Sequence, residues 1–365
     1  MTERLSRRAL NRATLERQLL LRRAKMSALE AIEHLGGLQA QAPFPPYYAL
    51  WTRLQGFKQE ELARLLLDRE VVRIALMRGT VHLVTAADAL AWRPLLQGIY
   101  DRDLERNTQH ASQLKDIDHD QLAKTARDLL TERPHSTTEL GAALATHWPD
   151  RVPASLTHGS RGLLPLIQIP PRGIWGKSGQ TTYVTAEDWL GRPLDAQAKP
   201  AQLILRYLAA FGPATVMDVQ TWAGITRLGE IAETLELRKY RDEDGRELLD
   251  LPHATVPDPD TPAPPRLLGP FDQTLLSYAD RTRVISDPYR KRMITQNGLV
   301  KGALLANGQV KGWWETKKST IILTPFEKLP KRDLAALESA ADRLIRWAEP
   351  QAETHTVQVI TDPGS

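Results

Sequence analysis

The sequence predicts a mainly helical α+β chain, with three tandem units of three helices and a β-hairpin followed by a small antiparallel β-barrel. Three observations carry this reading. The same order of helical and strand-like runs appears three times before residue 253. A proline-dense stretch, "PHATVPDPDTPAPP", then breaks the pattern. Beyond it come short apolar runs separated by turns, and one long helix. Helix, helix, helix, hairpin is the order of a winged helix, whose third helix and wing commonly contact nucleic acid.

The first unit, with a connecting helix, occupies residues 1–115. A helix is expected over 10–23. A second opens at Ser27, where Glu30 completes a capping box, and closes at Gly36-Gly37. A third covers 60–68, and "VVRIALMRGTVHLV" reads as a strand. The second unit, 116–198, has a helix over 118–133, another opened by Ser136 and Glu139, and a third in "ASLTHGSRGLLPLI". Its hairpin is "IQIPPRGIWGKSGQTTYV". The third unit, 199–252, closes one helix at Gly212-Pro213, runs a second over 215–222 to Gly224, and begins a third at Thr226. Its hairpin turns at Asp244-Gly245.

Residues 253–265 form the linker and 266–350 the barrel. "TLLSYADRTRVI", "GLVKGALL", "GQVKGWW" and "STIILTPF" read as its strands, with a hairpin turn at Asn307-Gly308 and a closing helix over 331–347. Residues 351–365 are expected to be a loose tail.

Composition excludes several chemistries. The chain has no cysteine, so a disulfide framework, a thiolate metal site and a Cys nucleophile are ruled out together. No apolar run approaches the ~20 residues that span a membrane, and the N-terminus is charged, which points to the cytoplasm. No phosphate loop, dinucleotide fingerprint, H-E-x-x-H or GxSxG occurs. The nine histidines are scattered, so neither metal nor other cofactor is expected. Asp116, Asp118 and Asp120 read as acids opening a helix. The net charge of +4 is concentrated in two zones, Arg4 to Lys25 and Arg281 to Lys318. They suggest an anionic partner if the fold unites them.

One short stretch, "HLGGLQAQAPFPP", remains unexplained by architecture. The glycines end the helix before Gln39, and Pro43, Pro45 and Pro46 keep the following segment extended. In extended chain, residues two apart share a side, so Gln39 and Gln41 present both amides to one place. That place is either solvent or a site.

In order and content, "LGGLQAQAPFPPYYALWTRL", "LMRGTVHLVTAADALAWRP", "FGPATVMDVQTWAGI", "RLLGPFDQTLLSYADR" and "GQVKGWW" resemble the winged-helix DNA glycosylases of the AlkZ and YcaQ group. The resemblance covers nearly the whole chain. It implies three winged helices and a β-barrel in a C-shape around a basic DNA channel, and excision of N-alkylated purines, with crosslink unhooking in the AlkZ branch. That branch carries Gln, an aliphatic residue and Gln as its catalytic signature, which falls on Gln39, Ala40 and Gln41. The sibling branch has aspartate at the second position, so Gln41 favours the AlkZ type.

The resemblance also implies that a loop of the barrel region reaches the minor groove. The candidate is "PYRKRMITQNG", with Arg290, Lys291 and Arg292 expected in a loop between two strands. Arg78 and His82 are candidates for facing the channel, with a structural role the competing reading. Asp272 reads as structural. The expected partner is double-stranded DNA bearing alkylated or crosslinked purines, met by a monomer. The competing function is a winged-helix transcriptional regulator without catalysis. A drug-sequestering protein is a third reading.

Overall fold

In the computed structural model, which describes residues 3–295 and 298–360, local chemistry sets many of the element ends. Ser27 and Glu30 form the expected capping box on helix Ala28–His34, and Ser136 and Glu139 do the same for helix Thr137–Ala145. Asp118 caps helix His119–Glu132 by accepting from the amides of Asp120 and Gln121, the role expected of this acidic run. Gly224, at φ +82°, closes helix Val216–Ala223.

The strands form three groups. β1 (Leu38–Gln39), β2 (Val71–Ala75), β3 (Val81–Thr85), β4 (His135–Ser136), β5 (Leu166–Gln168) and β6 (Thr182–Thr185) make one six-stranded sheet in the order β1-β3-β2-β5-β6-β4. The antiparallel pairing of β2 with β5 joins the first two predicted units into one sheet, with Arg73 opposite Gln168. β7 (Arg238–Arg241) and β8 (Glu247–Asp250) form a separate hairpin after helices Pro200–Phe211, Val216–Ala223 and Leu228–Glu233. β9 (Arg266–Leu268), β10 (Gly302–Ala306), β11 (Gln309–Lys317), β12 (Thr320–Pro325) and β13 (Thr356–Val359) make the third sheet.

Several expectations are corrected. Pro45 and Pro46 do not keep the chain extended: they open helix Pro45–Arg53, where a fixed φ and a missing N–H suit the first turn. "VVRIALMRGTVHLV" is two strands rather than one, broken by a 3-10 turn over Met77–Gly79 in which Arg78 adopts φ +57°. The C-terminal sheet is open, in the order β13-β12-β11-β10-β9, and no barrel closes among the described residues. A helix covers the edge that closure would have used: Thr52 of helix Pro45–Arg53 donates its hydroxyl to the Leu267 carbonyl, and Gly269 approaches Tyr48 and Ala49 closely. "TLLSYADRTRVI" is not a strand. Asp272 and Asp280 accept from the amides of Thr274 and Thr282, and these side-chain bonds favour turns over a ladder. Within the expected loose tail, Thr356–Val359 instead pairs in parallel with β12; residues 361–365 lie outside the described residues. Arg290, Lys291 and Arg292 occupy the last turn of helix Asp287–Met293, started by Pro288, rather than a loop. Of the same stretch, Gln296 and Asn297 lie outside the described residues.

The central sheet lies between two apolar cores. On one side Leu38, Leu83, Leu50 and Leu62 pack with Leu267, Leu323 and Leu344, tying the first helices to the C-terminal sheet and helix Lys331–Ala348. On the other, Val72, Ile74 and Val84 pack with Tyr207, Phe211 and Trp222 of the third helical group. β1 therefore runs along a wall fixed from both faces.

Candidate active site

Gln39 and Gln41 are presented by a short extended segment that a glycine pair makes possible. Gly36 and Gly37 adopt φ +68° and +86°, and a β-carbon on Gly37 would lie 2.6 Å from Val84 Cγ1. The chain thus passes directly from helix Ala28–His34 into β1. There Leu38 pairs with Leu83 and Gln39 with His82. The Ala40 amide donates to the Val81 carbonyl at 2.7 Å, extending the register by one residue. Ala40 is buried, Gln39 is largely buried and Gln41 is exposed.

Both amides are anchored to the same neighbouring segment. The Gln39 Oε1 accepts from Arg78 Nη2 at 2.9 Å. The Gln41 Oε1 accepts from the Val81 amide at 3.2 Å. Arg78 also donates from Nη1 to the Trp222 carbonyl at 2.7 Å, one of the carbonyls left open at the end of helix Val216–Ala223. A β-carbon on Gly224 would stand 2.9 Å from the Arg78 backbone. The third helical group therefore fits closely against the residue that grips Gln39.

A second arginine, this one fully buried, holds the loop. Arg73, 1% exposed on β2, donates from Nη2 to the Ala40 carbonyl and the Gln168 Oε1, both at 3.1 Å, and from Nη1 to the Pro43 carbonyl at 3.2 Å. A β-carbon on Gly173 would press to 2.8 Å from Arg73 Cδ. Neither Arg73 nor Arg78 forms an ion pair with a carboxylate among the described residues. Burial lowers both pKa values to about 10, with a further push from the charges of Arg172 and Arg281 respectively. At neutral pH both remain charged.

His82 is 2% exposed, with Nδ1 2.9 Å from the Thr80 carbonyl. Burial, and then the Arg78 charge, push its pKa down to about 3, so the ring is neutral. Its place is inside the sheet. Arg290 lies near enough to Arg281 for its charge to lower that residue's pKa, after the larger effect of burial, and Arg281 acts on Arg78 in the same way. Arg290 bonds to Asp287 at 3.1 Å, Lys291 is exposed, and Arg292 lies over the Phe326 ring at 4.3 Å. Arg281 itself donates from Nε to the Tyr278 carbonyl at 3.2 Å.

The N-terminal zone has a different use. Arg17 is bidentate to Asp250 at 2.7 Å, and Arg12 bonds to Asn307 and Thr261. Arg4 and Arg8 bind carbonyls of Asp242 and Pro259. These cations tie segments of the chain together. Asp272 is structural, held by Arg53 at 2.7 and 2.9 Å in a fully buried pair.

Sequence reasoning missed the parts played by Arg73, Gln168 and Trp222, which carry no local motif. A cavity of about 520 Å³ lies apart from the pair, lined by Arg7, Met217, Asp242, Arg246 and Asp280 among others, and includes neither glutamine. Among the described residues, no group of three or more His, Asp or Glu side chains is placed to hold a metal ion.

The sequence pattern of the family described as DNA glycosylase AlkZ-like matches residues 32–347. An interstrand DNA cross-link repair glycosylase from Streptomyces sahachiroi is 24% identical over 362 residues, covering 91% of this chain and 94% of that protein. The solved structure of Streptomyces sahachiroi DNA glycosylase AlkZ superposes with a TM-score of 0.78 at 22% identity, covering 98% of this chain and all of the other. The fold of the two is the same.

Proposed function

The chain belongs to the AlkZ-like DNA glycosylase family, and from that premise we propose that it hydrolyses the N-glycosidic bond of cationic N7-alkylguanine in duplex DNA, crosslinked guanines included. Gln39 and Gln41 are the catalytic pair. The observation that supports this most is their common anchorage: two neutral amides, two residues apart, both fixed to the segment 78–81.

The chemistry suits neutral groups. Alkylation at N7 makes the base a cation, so when the C1′–N9 bond breaks and its electron pair passes to the base, the leaving group is neutral. Little acid assistance is needed. Water forms the new bond to C1′ and releases a proton, while the sugar passes through an oxocarbenium-like state. The protein's task is placement and electrostatics. An amide suits it, because each oxygen keeps a second lone pair for a water and each nitrogen offers donors. Neither amide can protonate a leaving base, so unmodified guanine, a poor leaving group, is left in place, and the proton shed by the attacking water passes to bulk solvent.

Arg290, Lys291 and Arg292 are assigned to the DNA backbone. Three winged-helix units and the C-terminal sheet embrace the duplex in a C-shape, as a monomer. The biological role is repair, or self-resistance to an alkylating natural product. Membership of an enzyme family leaves the regulator reading without an observation to carry it.

The test uses duplexes containing N7-methylguanine or a nitrogen-mustard crosslink, followed by alkali. Wild type should leave alkali-labile abasic sites at the lesion, and Gln39→Ala and Gln41→Ala should not. Equal release of unmodified guanine would defeat the selectivity argument; specific duplex binding with no strand scission would favour the regulator.

A further inference from the structure

We infer that the catalytic pair meets the nucleotide through its N–H groups, as hydrogen-bond donors, and that Arg78 is the positioning residue that turns Gln39 this way. The inference rests on the proposed glycosylase function and adds an orientation to it.

The orientation follows from what each amide touches. A guanidinium has only donors, so the atom of Gln39 that receives Arg78 Nη2 must be the oxygen. The backbone amide of Val81 likewise accepts no bond, so it fixes the Gln41 oxygen inward. Neither Nε2 has a protein acceptor among the described residues. Gln39 is 9% exposed and its Nε2 is not among the buried polar atoms lacking a partner, so its amide nitrogen reaches solvent. One lone pair of each carbonyl is thus committed to the protein, which fixes the orientation of both amides and leaves both NH2 groups for a ligand with acceptor atoms.

Arg78 is itself immobilised. Its other nitrogen is bound to the Trp222 carbonyl, its backbone is held at φ +57°, and Gly224 packs against it. With two carbonyl acceptors supplied by the protein, its guanidinium is used for placement rather than for phosphate. Its charge on the Gln39 oxygen also withdraws density from the amide, making the N–H groups stronger donors. As the glycosidic electron pair moves onto the departing base, the base's acceptor atoms gain density. A donor aimed there binds the transition state better than the ground state.

The discriminating variant is Gln39→Glu. It keeps the shape, gains an ion pair with Arg78 and removes the N–H donors. Single-turnover release of N7-methylguanine is measured for wild type, Gln39→Ala, Gln39→Glu, Arg78→Met and Arg78→Lys, alongside duplex affinity and thermal unfolding. Gln39→Glu should unfold no earlier than wild type and should lose about 100-fold in rate, as does loss of a transition-state donor. Arg78→Met should lose about 10- to 100-fold in rate through misplacement, with duplex affinity retained. Arg78→Lys, which keeps the charge but has a single nitrogen in place of the fork that reaches both Gln39 and Trp222, should recover part of it. Three results overturn the inference: an active Gln39→Glu beside an inactive Gln39→Ala; an Arg78→Met variant that loses affinity but not turnover; or a rate loss in Arg78→Met that only follows its unfolded fraction. A fully active Gln39→Ala would instead remove the glutamine pair from the proposed function itself.

Discussion

His82 stands opposite Gln39 across the β1–β3 pairing, in a position where protonation is disfavoured by burial and by the Arg78 charge. Its folded pKa, about 3, lies below the ordinary value of 6.5. Below pH 6.5 the unfolded chain therefore binds a proton that the folded chain refuses. Stability from this group is complete above that pH and falls on acidification toward 3, by about 1.4 kcal/mol per pH unit. Urea unfolding at neutral and mildly acid pH should show this loss for wild type and a shallower one for His82→Leu. Equal slopes would mean that His82 is protonated in the fold. At the same scale, the common anchorage of Gln39 and Gln41 was legible because a two-residue spacing in extended chain is a local feature. The partners were not: Arg73 meets Gln168 at a separation of 95 residues and Arg78 meets Trp222 at 144. No spacing rule reaches that far.

Element ends were read well wherever a cap or a special backbone angle decides them. Both Ser–Glu boxes, Gly224, and the turns at Asn307-Gly308 and Asp244-Gly245 belong to this class. Apolar runs were less dependable. "TLLSYADRTRVI" buries Leu275, Tyr278, Val284 and Ile285 as a strand would, yet its aspartates bend the backbone into turns. The open sheet has a similar lesson: strand patterning does not say whether an edge is met by another strand or by a helix. The glycine pair before β1 offers a test. Gly37→Ala combines a left-handed backbone angle with a 2.6 Å contact on Val84, and should cost about 3 kcal/mol and slow excision by shifting β1. Gly56→Ala, at φ +69° with nothing within 4 Å, should cost about 1 kcal/mol and leave excision unchanged. Chemical unfolding and a glycosylase assay on both variants compare them; equal costs would show that Val84 does not constrain the turn.

Across the whole molecule, the two basic zones have divided roles. Arg12 and Arg17 spend their charge on Asn307 and Asp250, joining the N-terminal helix to distant segments. Arg290 and Lys291 lie on helix Asp287–Met293, Lys291 exposed, and are the cations proposed to meet DNA. The glutamine loop sits where the helical groups converge, gripped by Arg73 through the sheet shared with β5 and by Arg78 through helix Val216–Ala223. Its geometry is therefore a property of the assembled chain rather than of any one unit. The most direct measurement is mass-spectrometric detection of the product freed from an N7-methylguanine duplex at single turnover. The free base from wild type, with none above the spontaneous rate from Gln39→Ala or Gln41→Ala, is the predicted result. A released nucleoside or nucleotide, no product at all, or equal base release from all three proteins would contradict it.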